Sequence, residues 1–380
     1  MSSMNIPKTI SFSGKALYKM KTENTVSSEV LEALRKKADE ICEMPTLKVT
    51  ARKLHADSGN IHDYASIGTY WWPNPETENG LPYIKRDGMT NSDAIDSNSH
   101  ETLCKNVFIL ALAAYYFEDI KYAKSANEAL YDWFLNPETY MSPNAEYAQF
   151  IPGVCKGRGI GIIDFRFTYD IFDAVAILES LGMIENERIE ALKSWHSDFL
   201  DWLITSENGN AEEMELNNHG TWFDAIILSI AAFTNRSELF KKYATLSYQR
   251  RFLGQIKTDG SQPHELARTM ALIYSISNIQ GLITIVNVAE SEGYHDFMKY
   301  EDAYGASILK KAIDFLYPYA MDIKSFPYQE LRPEIVPERI ARILLWLHNY
   351  YPEEGYAEKA KRFIKEPHLY LAKPQAYIYS

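Results

Sequence analysis

Residues 215–222 read ELNNHGTW and bring two amides and an imidazole together, next to the apolar run at 222–233. An asparagine amide is a neutral donor that can stabilise negative charge on an oxygen, and histidine is the side chain that most readily carries protons near neutral pH. The same residue types also start helices, where one asparagine accepts from the first backbone N–H groups. Taken alone, the stretch favours a helix cap, but a cap needs only one of its two asparagines.

A second polar cluster follows at residues 259–278, DGSQPHELARTMALIYSISN. It opens with an Asp-Gly turn, and Pro263 then precedes a segment with helical periodicity. Arg268 and Tyr274 are separated by about 1.7 helical turns, so both side chains can reach one cleft from different azimuths. Asn278 follows four residues after Tyr274 and shares its face. The alternative interpretation is a helix whose polar face meets solvent.

The third unusual segment is the long irregular stretch at 55–99, which is rich in Gly, Pro and Asn. A loop longer than about 15 residues inside a compact domain is usually functional or disordered. Its aromatic residues argue against disorder, so we predict an ordered lid or cleft wall. The adjacent Trp71 and Trp72 are suited to stacking on sugar faces, and packing in the core is the alternative.

The sequence predicts neither a metal nor a nucleotide cofactor. The histidines considered as metal ligands are His196, His219, His264 and His295. They are not spaced as paired ligands, and no HExxH motif is present. Residues 157–166, GRGIGIIDFR, lack the preceding strand that a dinucleotide site requires.

Composition narrows the classes of partner. The formal net charge of −12, with no Lys/Arg-rich block to offset it, argues against non-specific nucleic-acid binding. No run approaches about 18 consecutive apolar residues, so no membrane span is predicted. The cysteines Cys42, Cys104 and Cys155 are scattered and odd in number, which favours free thiols.

Helices must position these clusters, because apolar residues recur at three- and four-residue intervals along most of the chain. The segments with this pattern are 26–44, 101–135, 165–181, 185–206, 222–234, 239–256, 264–292, 304–321 and 338–351. Strand-like alternation is clear only at 370–380. We therefore predict an all-α fold, an α/α toroid of six or seven helical pairs forming one domain over residues 1–380, with the lid at about 55–99.

The three segments together resemble the alginate lyase superfamily with an α/α-toroid fold. The resemblance rests on NNHGTW, on DGSQPHELARTMALIY and on the lid sequence HDYASIGTYWWPNPETENGLPYIKRDG, and it covers roughly residues 50–335. It is closer to polysaccharide lyase family 38 than to family 5. The matching catalytic positions are Asn218, His219, Arg268 and Tyr274. Asn217 keeps the capping role, and Gly220 departs from the aromatic-rich continuation that family 5 carries after its histidine.

The resemblance implies β-elimination of a uronic-acid polymer. The C5 proton of a uronate is a very weak acid, so Asn218 and Arg268 are expected to neutralise the neighbouring carboxylate. The charge of Arg268 also favours the phenolate of Tyr274, the stronger base. In mannuronate and glucuronate one tyrosine can serve as base and then as acid, because the C5 proton and O4 share a face. In guluronate the faces are opposite, and His219 as base with Tyr274 as acid is the expected assignment.

The expected partner is an anionic polysaccharide, alginate or glucuronan, without nucleic acid, membrane or cofactor. The residues predicted to bind it are Tyr64, Trp71, Trp72, Arg86, Arg158, Arg166, Gln262 and His264. The resemblance also implies a periplasmic or secreted enzyme, although MSSMNIPKTI shows no signal peptide. The residues do not predict an oligomeric state.

Three alternatives remain at this stage. The same catalytic set would serve a glucuronan lyase. An inverting glycoside hydrolase would need two carboxylates about 6.5–9.5 Å apart, with Asp63, Glu101, Glu215 and Asp259 as candidates. A non-catalytic uronan-binding protein would bind such polymers without forming a product.

Overall fold

The structure, a computed structural model, describes residues 5–52, 54–91, 99–294 and 307–364. Helices dominate these residues, as the spacing of apolar positions predicts. The expectations that lie outside the described residues are the end of the lid at 92–98, His295, the start of one helix at 304–306 and the strand-like alternation at 370–380.

The described residues contain fifteen α-helices. In chain order they are α1 (Gly14–Thr22), α2 (Ser28–Cys42), α3 (Ser99–Phe117), α4 (Ile120–Phe134), α5 (Tyr169–Ser180), α6 (Asn186–Thr205), α7 (Glu207–Glu213), α8 (Asn218–Phe233), α9 (Ser237–Ser247), α10 (Leu253–Gln255), α11 (Pro263–Leu266), α12 (Ala271–Ser291), α13 (Ile308–Met321), α14 (Val336–His348) and α15 (Tyr356–Lys361). A π-helical turn, Tyr248–Phe252, joins α9 to α10.

Two predicted helices are broken. The segment at 101–135 forms α3 and α4 because Glu118 adopts a left-handed φ of 52° and the Asp119 carboxylate then caps α4. The segment at 264–292 forms the single turn α11 and the long α12, with a break at 267–270. Periodicity continues across both breaks, which is why the pattern of apolar residues does not reveal them.

Four short strands lie in and near the predicted lid: β1 (Ala65–Ile67), β2 (Trp71–Trp72), β3 (Ile84–Lys85) and β4 (Tyr147–Phe150). β1 pairs in parallel with β4, and β2 pairs in antiparallel with β3. Strands of this length are too short to show a period of two in the sequence. The lid is therefore built on two small strand pairs rather than on irregular chain alone.

The chain divides into two compact units. Unit 1 comprises Met1–Lys37, Leu216–Leu228 and Ser237–Ser380, and unit 2 comprises Ala38–Glu215 and Ser229–Arg236. The boundary falls within α8, so that helix contributes its first residues to unit 1 and its last to unit 2. The single-domain organisation of residues 1–380 stays a prediction.

Unit 2 is organised around α3, which is apolar on most of its surface and packs against α4 and α5. Two histidines are buried in this core, His100 against Phe165 and His196 against Phe172. The last residues of α8 join it, since the Phe233 ring stacks on Phe172 with centroids 4.2 Å apart. The core is thus aromatic, and it places two imidazoles away from water.

Unit 1 is organised around α12, which packs against α13 and α14. Its length and hydropathy match a membrane span, but 78% of that window is buried inside the protein, as in an ordinary core helix. Asn287 of α12 donates to the backbone carbonyl of Ser11 at 2.8 Å and accepts from the Trp346 indole at 2.8 Å. The helix therefore ties both the N-terminal segment and α14 to one core.

The N-terminal half of α8 lies against α12 in unit 1. A Cβ atom on Gly281 would approach Thr221 Cγ2 to 2.9 Å, so glycine permits the two helices to meet closely. The Trp222 indole donates to Ser277 Oγ at 3.1 Å across this contact. One turn further along α8, the buried Asp224 accepts from two arginines of the π-turn. These contacts fix the start of α8 relative to the first turns of α12.

Candidate active site

The ELNNHGTW stretch forms the beginning of α8. Asn217 caps the helix, since its Oδ1 accepts from the backbone N–H of His219 at 2.9 Å. Gln255 secures the same turn from α10, donating to the Asn217 carbonyl at 3.2 Å and accepting from Thr221 Oγ1 at 3.0 Å. Asn218 is buried and His219 half-buried in the first turn, and Gly220 is buried beside them. Asn217 therefore makes the predicted cap, and the catalytic role of its two neighbours stays a prediction.

A buried carboxyl group, Glu265 of α11, faces this turn. It accepts from the backbone N–H of Asn218 and from the Asn218 side-chain amide, whose Nδ2 lies 3.0 and 3.1 Å from the two carboxylate oxygens. Burial raises the pKa of Glu265 to about 7, although the Asn218 hydrogen bonds and the charges of His219 and Arg268 act to lower it. Glu265 thus interacts both with the start of α8, through Asn218 and His219, and with Arg268 in the break that precedes α12.

Arg268 and Tyr274 meet across that break. The guanidinium carbon of Arg268 lies 4.6 Å from the centroid of the Tyr274 ring, within the range of a cation–π contact. Arg268 belongs to the non-helical link and Tyr274 to the first turn of α12, so they do not share one helix as predicted. The two side chains nevertheless lie against each other, and their shared place in a cleft stays a prediction.

The break has an identifiable cause. The carboxylate of Glu330 accepts from the backbone N–H groups of Leu272 and Ile273, both at 3.0 Å, and so caps α12. Met270, immediately before the helix, forms an isolated β-bridge with Glu330. A helix that has its first N–H groups satisfied by a distant carboxylate begins at that point. Arg268 is thereby released from helical geometry and can fold back over Tyr274.

The other residues predicted in this cluster, Gln262, Asn278 and His264, differ in their exposure to solvent. Gln262 is buried, donating to the Ser275 carbonyl at 3.3 Å and accepting from the Asn278 amide at 2.8 Å. Asn278 is also buried. His264 is exposed on α11. In this structure Gln262 therefore joins two helical segments rather than presenting its amide to a ligand.

Two predicted sugar-binding residues of unit 2 are engaged with carboxylates. Tyr64 is fully buried and donates to Asp164 at 3.0 Å, and burial together with Asp164 raises its pKa. Arg166 lies 2.6 Å from Glu101, and this ion pair is partly exposed. Tyr64 is thus part of the core here, and Arg166 already has an anionic partner.

The tryptophan pair of the lid points to opposite sides of the β2–β3 ribbon, as successive residues of a strand do. Trp72 donates to the Met89 carbonyl at 2.9 Å, and the Arg86 guanidinium lies 5.6 Å from its ring. Trp71 lies beside Arg158: a Cβ atom on Gly68 would be 2.7 Å from Trp71 Cδ1 and 2.8 Å from Arg158 Nη2. Because Gly68 has no side chain, the Trp71 indole and the Arg158 guanidinium can both lie against its backbone.

Arg158 is held in place by one neighbour. Its Nε donates to the Gln149 carbonyl at 3.0 Å, and its Nη2 donates to the Gln149 side-chain oxygen at 3.1 Å. Within residues 54–91 and 99–294 no ion pair with a carboxylate is found for it, and burial lowers its pKa. Trp71 and Arg158 therefore place an apolar face and a cation side by side in unit 2.

The model of the alginate lyase family matches residues 48–326, which is most of the chain. The chain belongs to the alginate lyase family. The matched region includes the lid, the start of α8 and the Arg268–Tyr274 pair. No curated protein gives a significant match to the chain.

Solved structures agree with this assignment. An alginate lyase from Bacteroides ovatus is 32% identical, with 99% of this chain and 100% of that chain covered and a TM-score of 0.91. Alginate lyase A1-III from Sphingomonas species A1 is 16% identical, with 87% and 89% covered and a TM-score of 0.57. The predicted all-α toroid fold is confirmed by these likenesses, and the chain is a polysaccharide lyase. The numbered lyase family, 38 rather than 5, stays a prediction.

Three of the four carboxylates proposed for a hydrolase have other local roles. Asp63 accepts from Ser58 at 2.8 Å and from Asn60 at 3.1 Å within a turn, and Glu101 pairs with Arg166. Hydrogen bonds from Ser261 hold the pKa of Asp259 below its usual value, whereas a general acid needs a raised one.

Among the described residues, no group of three or more His, Cys, Asp or Glu side chains is arranged to hold a metal ion.

Sequence reasoning missed Glu265. It occupies the third residue of a short helix after a proline, where an acidic side chain is ordinary. Its burial against Asn218, 47 residues away in the chain, depends on tertiary packing. The only sequence signal is its proximity to Arg268, which does not distinguish a site residue from a helix-terminal one.

Proposed function

We propose that the chain cleaves 1,4-linked uronic-acid polymers, alginate above all, by β-elimination at the Arg268–Tyr274 pair. The observation that carries the proposal is the guanidinium of Arg268 over the Tyr274 ring at 4.6 Å. Asn218 and His219 belong to the same unit, and Glu265 is electrostatically coupled to both segments. A phenol, a cation and an amide are the groups that this reaction uses, and an imidazole can serve as the additional base for guluronate.

Arg268 and Asn218 have the task of neutralising the uronate carboxylate. When the C5 proton leaves, charge spreads onto that carboxylate, and fixed donors stabilise it without reorganisation. Arg268 supplies a full charge and Asn218 a neutral donor. Each such donor is worth about 2.7–4 kcal/mol of transition-state stabilisation in comparable sites.

Tyr274 has the task of moving the proton. The Arg268 cation beside its ring favours Tyr274 as the base that takes the C5 proton. Tyr274 is then a phenol, which protonates the departing O4. With mannuronate or glucuronate both transfers take place on one face of the sugar, so Tyr274 is sufficient. With guluronate a second group on the opposite face is required, and His219 is that group in this proposal.

Trp71 and Arg158 are the unit 2 residues best suited to binding a uronate. An indole face takes the apolar side of a sugar ring, and a guanidinium takes its carboxylate. Two substituted forms of alginate lyase A1-III, one with a histidine replaced and one with a tyrosine replaced, have been solved with a tetrasaccharide. This supports an oligosaccharide as the ligand class, and the charged side chains predict that it is anionic.

The decisive experiment measures ultraviolet absorbance of unsaturated products on polymannuronate, polyguluronate and glucuronan. We expect polymannuronate to be cleaved, and Tyr274→Phe to reduce turnover at least about a thousandfold while polymer binding persists, since only the transferring hydroxyl is removed. Tyr328→Phe, at an exposed tyrosine of the same unit, is the matched control and should retain full activity.

Each outcome has a defined meaning. Full activity of Tyr274→Phe contradicts the assignment of the proton-transfer group. Cleavage of glucuronan in preference to both alginate blocks supports the glucuronan alternative. New reducing ends without ultraviolet absorbance support a hydrolase, and binding without any product supports a non-catalytic protein.

A further inference from the structure

We propose that Glu265 is a positioning residue, which fixes the Asn218 amide so that one of its N–H bonds faces the substrate carboxylate. The proposal deepens the proposed function and rests on it. Glu265 touches Asn218 through three hydrogen bonds and is itself buried, so it is placed to act on the substrate through that neighbour.

The hydrogen-bond geometry leaves one amide donor for a ligand. The Asn218 Nδ2 atom is almost equidistant from the two Glu265 oxygens, at 3.1 and 3.0 Å. Two oxygens of one carboxylate subtend a much smaller angle at that nitrogen than the angle between its two N–H bonds. One N–H is therefore shared between the two oxygens, and the other points away from Glu265.

The carboxylate also decides which end of the amide faces it. An ionised glutamate only accepts hydrogen bonds, so the nitrogen of Asn218 must be turned towards it and the oxygen away. A rotation of the amide by half a turn would set an oxygen against two carboxylate oxygens. Because Glu265 also accepts from the Asn218 backbone N–H, the whole residue is fixed and not only its side chain.

Two charged side chains of unit 1 act on Glu265. His219 of α8 and Arg268 of the link before α12 both act on the carboxyl group, and the Arg268 guanidinium lies over Tyr274. Burial opposes the charged form, whereas the Asn218 donors and these two side chains favour it. The acceptor role therefore depends on a group whose protonation changes near neutral pH.

The test is Glu265→Gln in the full chain, assayed on polymannuronate. Glutamine keeps the shape but turns one oxygen into an N–H donor, which opposes the Asn218 amide. We expect kcat to fall about 10- to 100-fold with a smaller change in KM, because a donor aimed at the transition state is displaced. Glu265→Asp, which keeps the acceptor charge, should recover part of the loss.

A double-mutant cycle separates positioning from a general loss of structure. If Glu265 acts through Asn218, then Glu265→Gln should change kcat less than about threefold in the Asn218→Ala background. Independent, multiplying effects overturn the proposal. The cycle remains informative with Glu265→Asp if the glutamine variant does not fold.

The pH profile gives a second readout. Wild-type kcat/KM should rise through a step near pH 7 as Glu265 ionises, and Glu265→Gln should lack that step. Glu290→Gln is the matched control. Glu290 lies on the same helix as Tyr274, about 24 Å further along it, and it also accepts a hydrogen bond from a half-buried partner, the Tyr350 hydroxyl. Its profile should match the wild type, and an unchanged profile in Glu265→Gln contradicts the inference.

Failure of the proposed function can be recognised separately. If the wild type produces no unsaturated product from any of the three polymers, the lyase assignment fails. The NMR signal of the Asn218 side-chain amide, observed in protein with labelled asparagine, still tests the contact between Asn218 and Glu265. This signal should shift in Glu265→Gln and not in Glu290→Gln. No shift of that signal overturns the positioning role whatever the activity.

Discussion

At the scale of single residues, the candidate site combines side chains that the sequence singles out with one that it conceals. The pattern NNHG followed by Arg and Tyr is enough to select Asn218, His219, Arg268 and Tyr274 as candidates. It also assigns the cap to Asn217, and the bond to the His219 N–H confirms this. Glu265 escapes because burial, and not residue type, gives it its role.

His219 offers the sharpest prediction about stereochemistry. His219→Ala should lower the rate on polyguluronate at least tenfold more than the rate on polymannuronate, because only guluronate needs a base on the face opposite Tyr274. Initial rates of product absorbance on the two block polymers measure this directly. Equal losses on both would mean that His219 mainly orients the substrate.

At the scale of elements, the decisive feature is the break between α11 and α12. Apolar periodicity runs through residues 264–292 and predicts one helix. The cap comes from Glu330, nearly 60 residues later, so no local pattern reveals it. The other break, at Glu118, does have a local signal in the Asp119 cap. Helices are thus predictable from periodicity, but interruptions made by distant partners are not.

The β2–β3 ribbon supports a prediction about substrate binding. Trp71→Ala should raise KM on polymannuronate about three- to tenfold with kcat little changed, since a stacked aromatic contributes about 0.5–1.5 kcal/mol beyond its buried area. Trp72→Ala is the comparison, because that indole already bonds to Met89 on the other side of the ribbon. A larger rise for Trp72→Ala would assign the sugar-binding face to the opposite side.

At the scale of the whole molecule, the aromatic core of unit 2 makes stability depend on pH. Burial lowers the pKa of His100 to about 3 and that of His196 to about 4, from 6.5 in the unfolded chain. Both pKa values are lower in the folded protein than in the unfolded chain. The stability that the two neutral imidazoles contribute is therefore fully present above pH 6.5, and it is lost as the pH falls through about 4 and then 3. Each proton taken up on unfolding costs the folded state several kcal/mol at low pH.

His196→Phe tests this. The ring fits among aromatic neighbours and cannot be protonated, so the fall in unfolding free energy between pH 6.5 and 4 should be smaller by roughly 3 kcal/mol than in the wild type. Urea denaturation at several pH values, followed by circular dichroism, gives the comparison. The variant also loses the bond from His196 to the Leu192 carbonyl, which lowers stability equally at every pH. Parallel curves for the two proteins would contradict the prediction.

The contact between Asn287 and Ser11 has a consequence for synthesis on the ribosome. It joins positions 276 residues apart, and the segment that contains Ser11 groups with residues beyond 216 rather than with residues 38–215. Residues 38–215 emerge as one block, and they need only 229–236 to complete their core. Residues 38–215 are therefore expected to fold first, and the unit that carries Tyr274 to fold after them, once residues beyond 216 have left the ribosome.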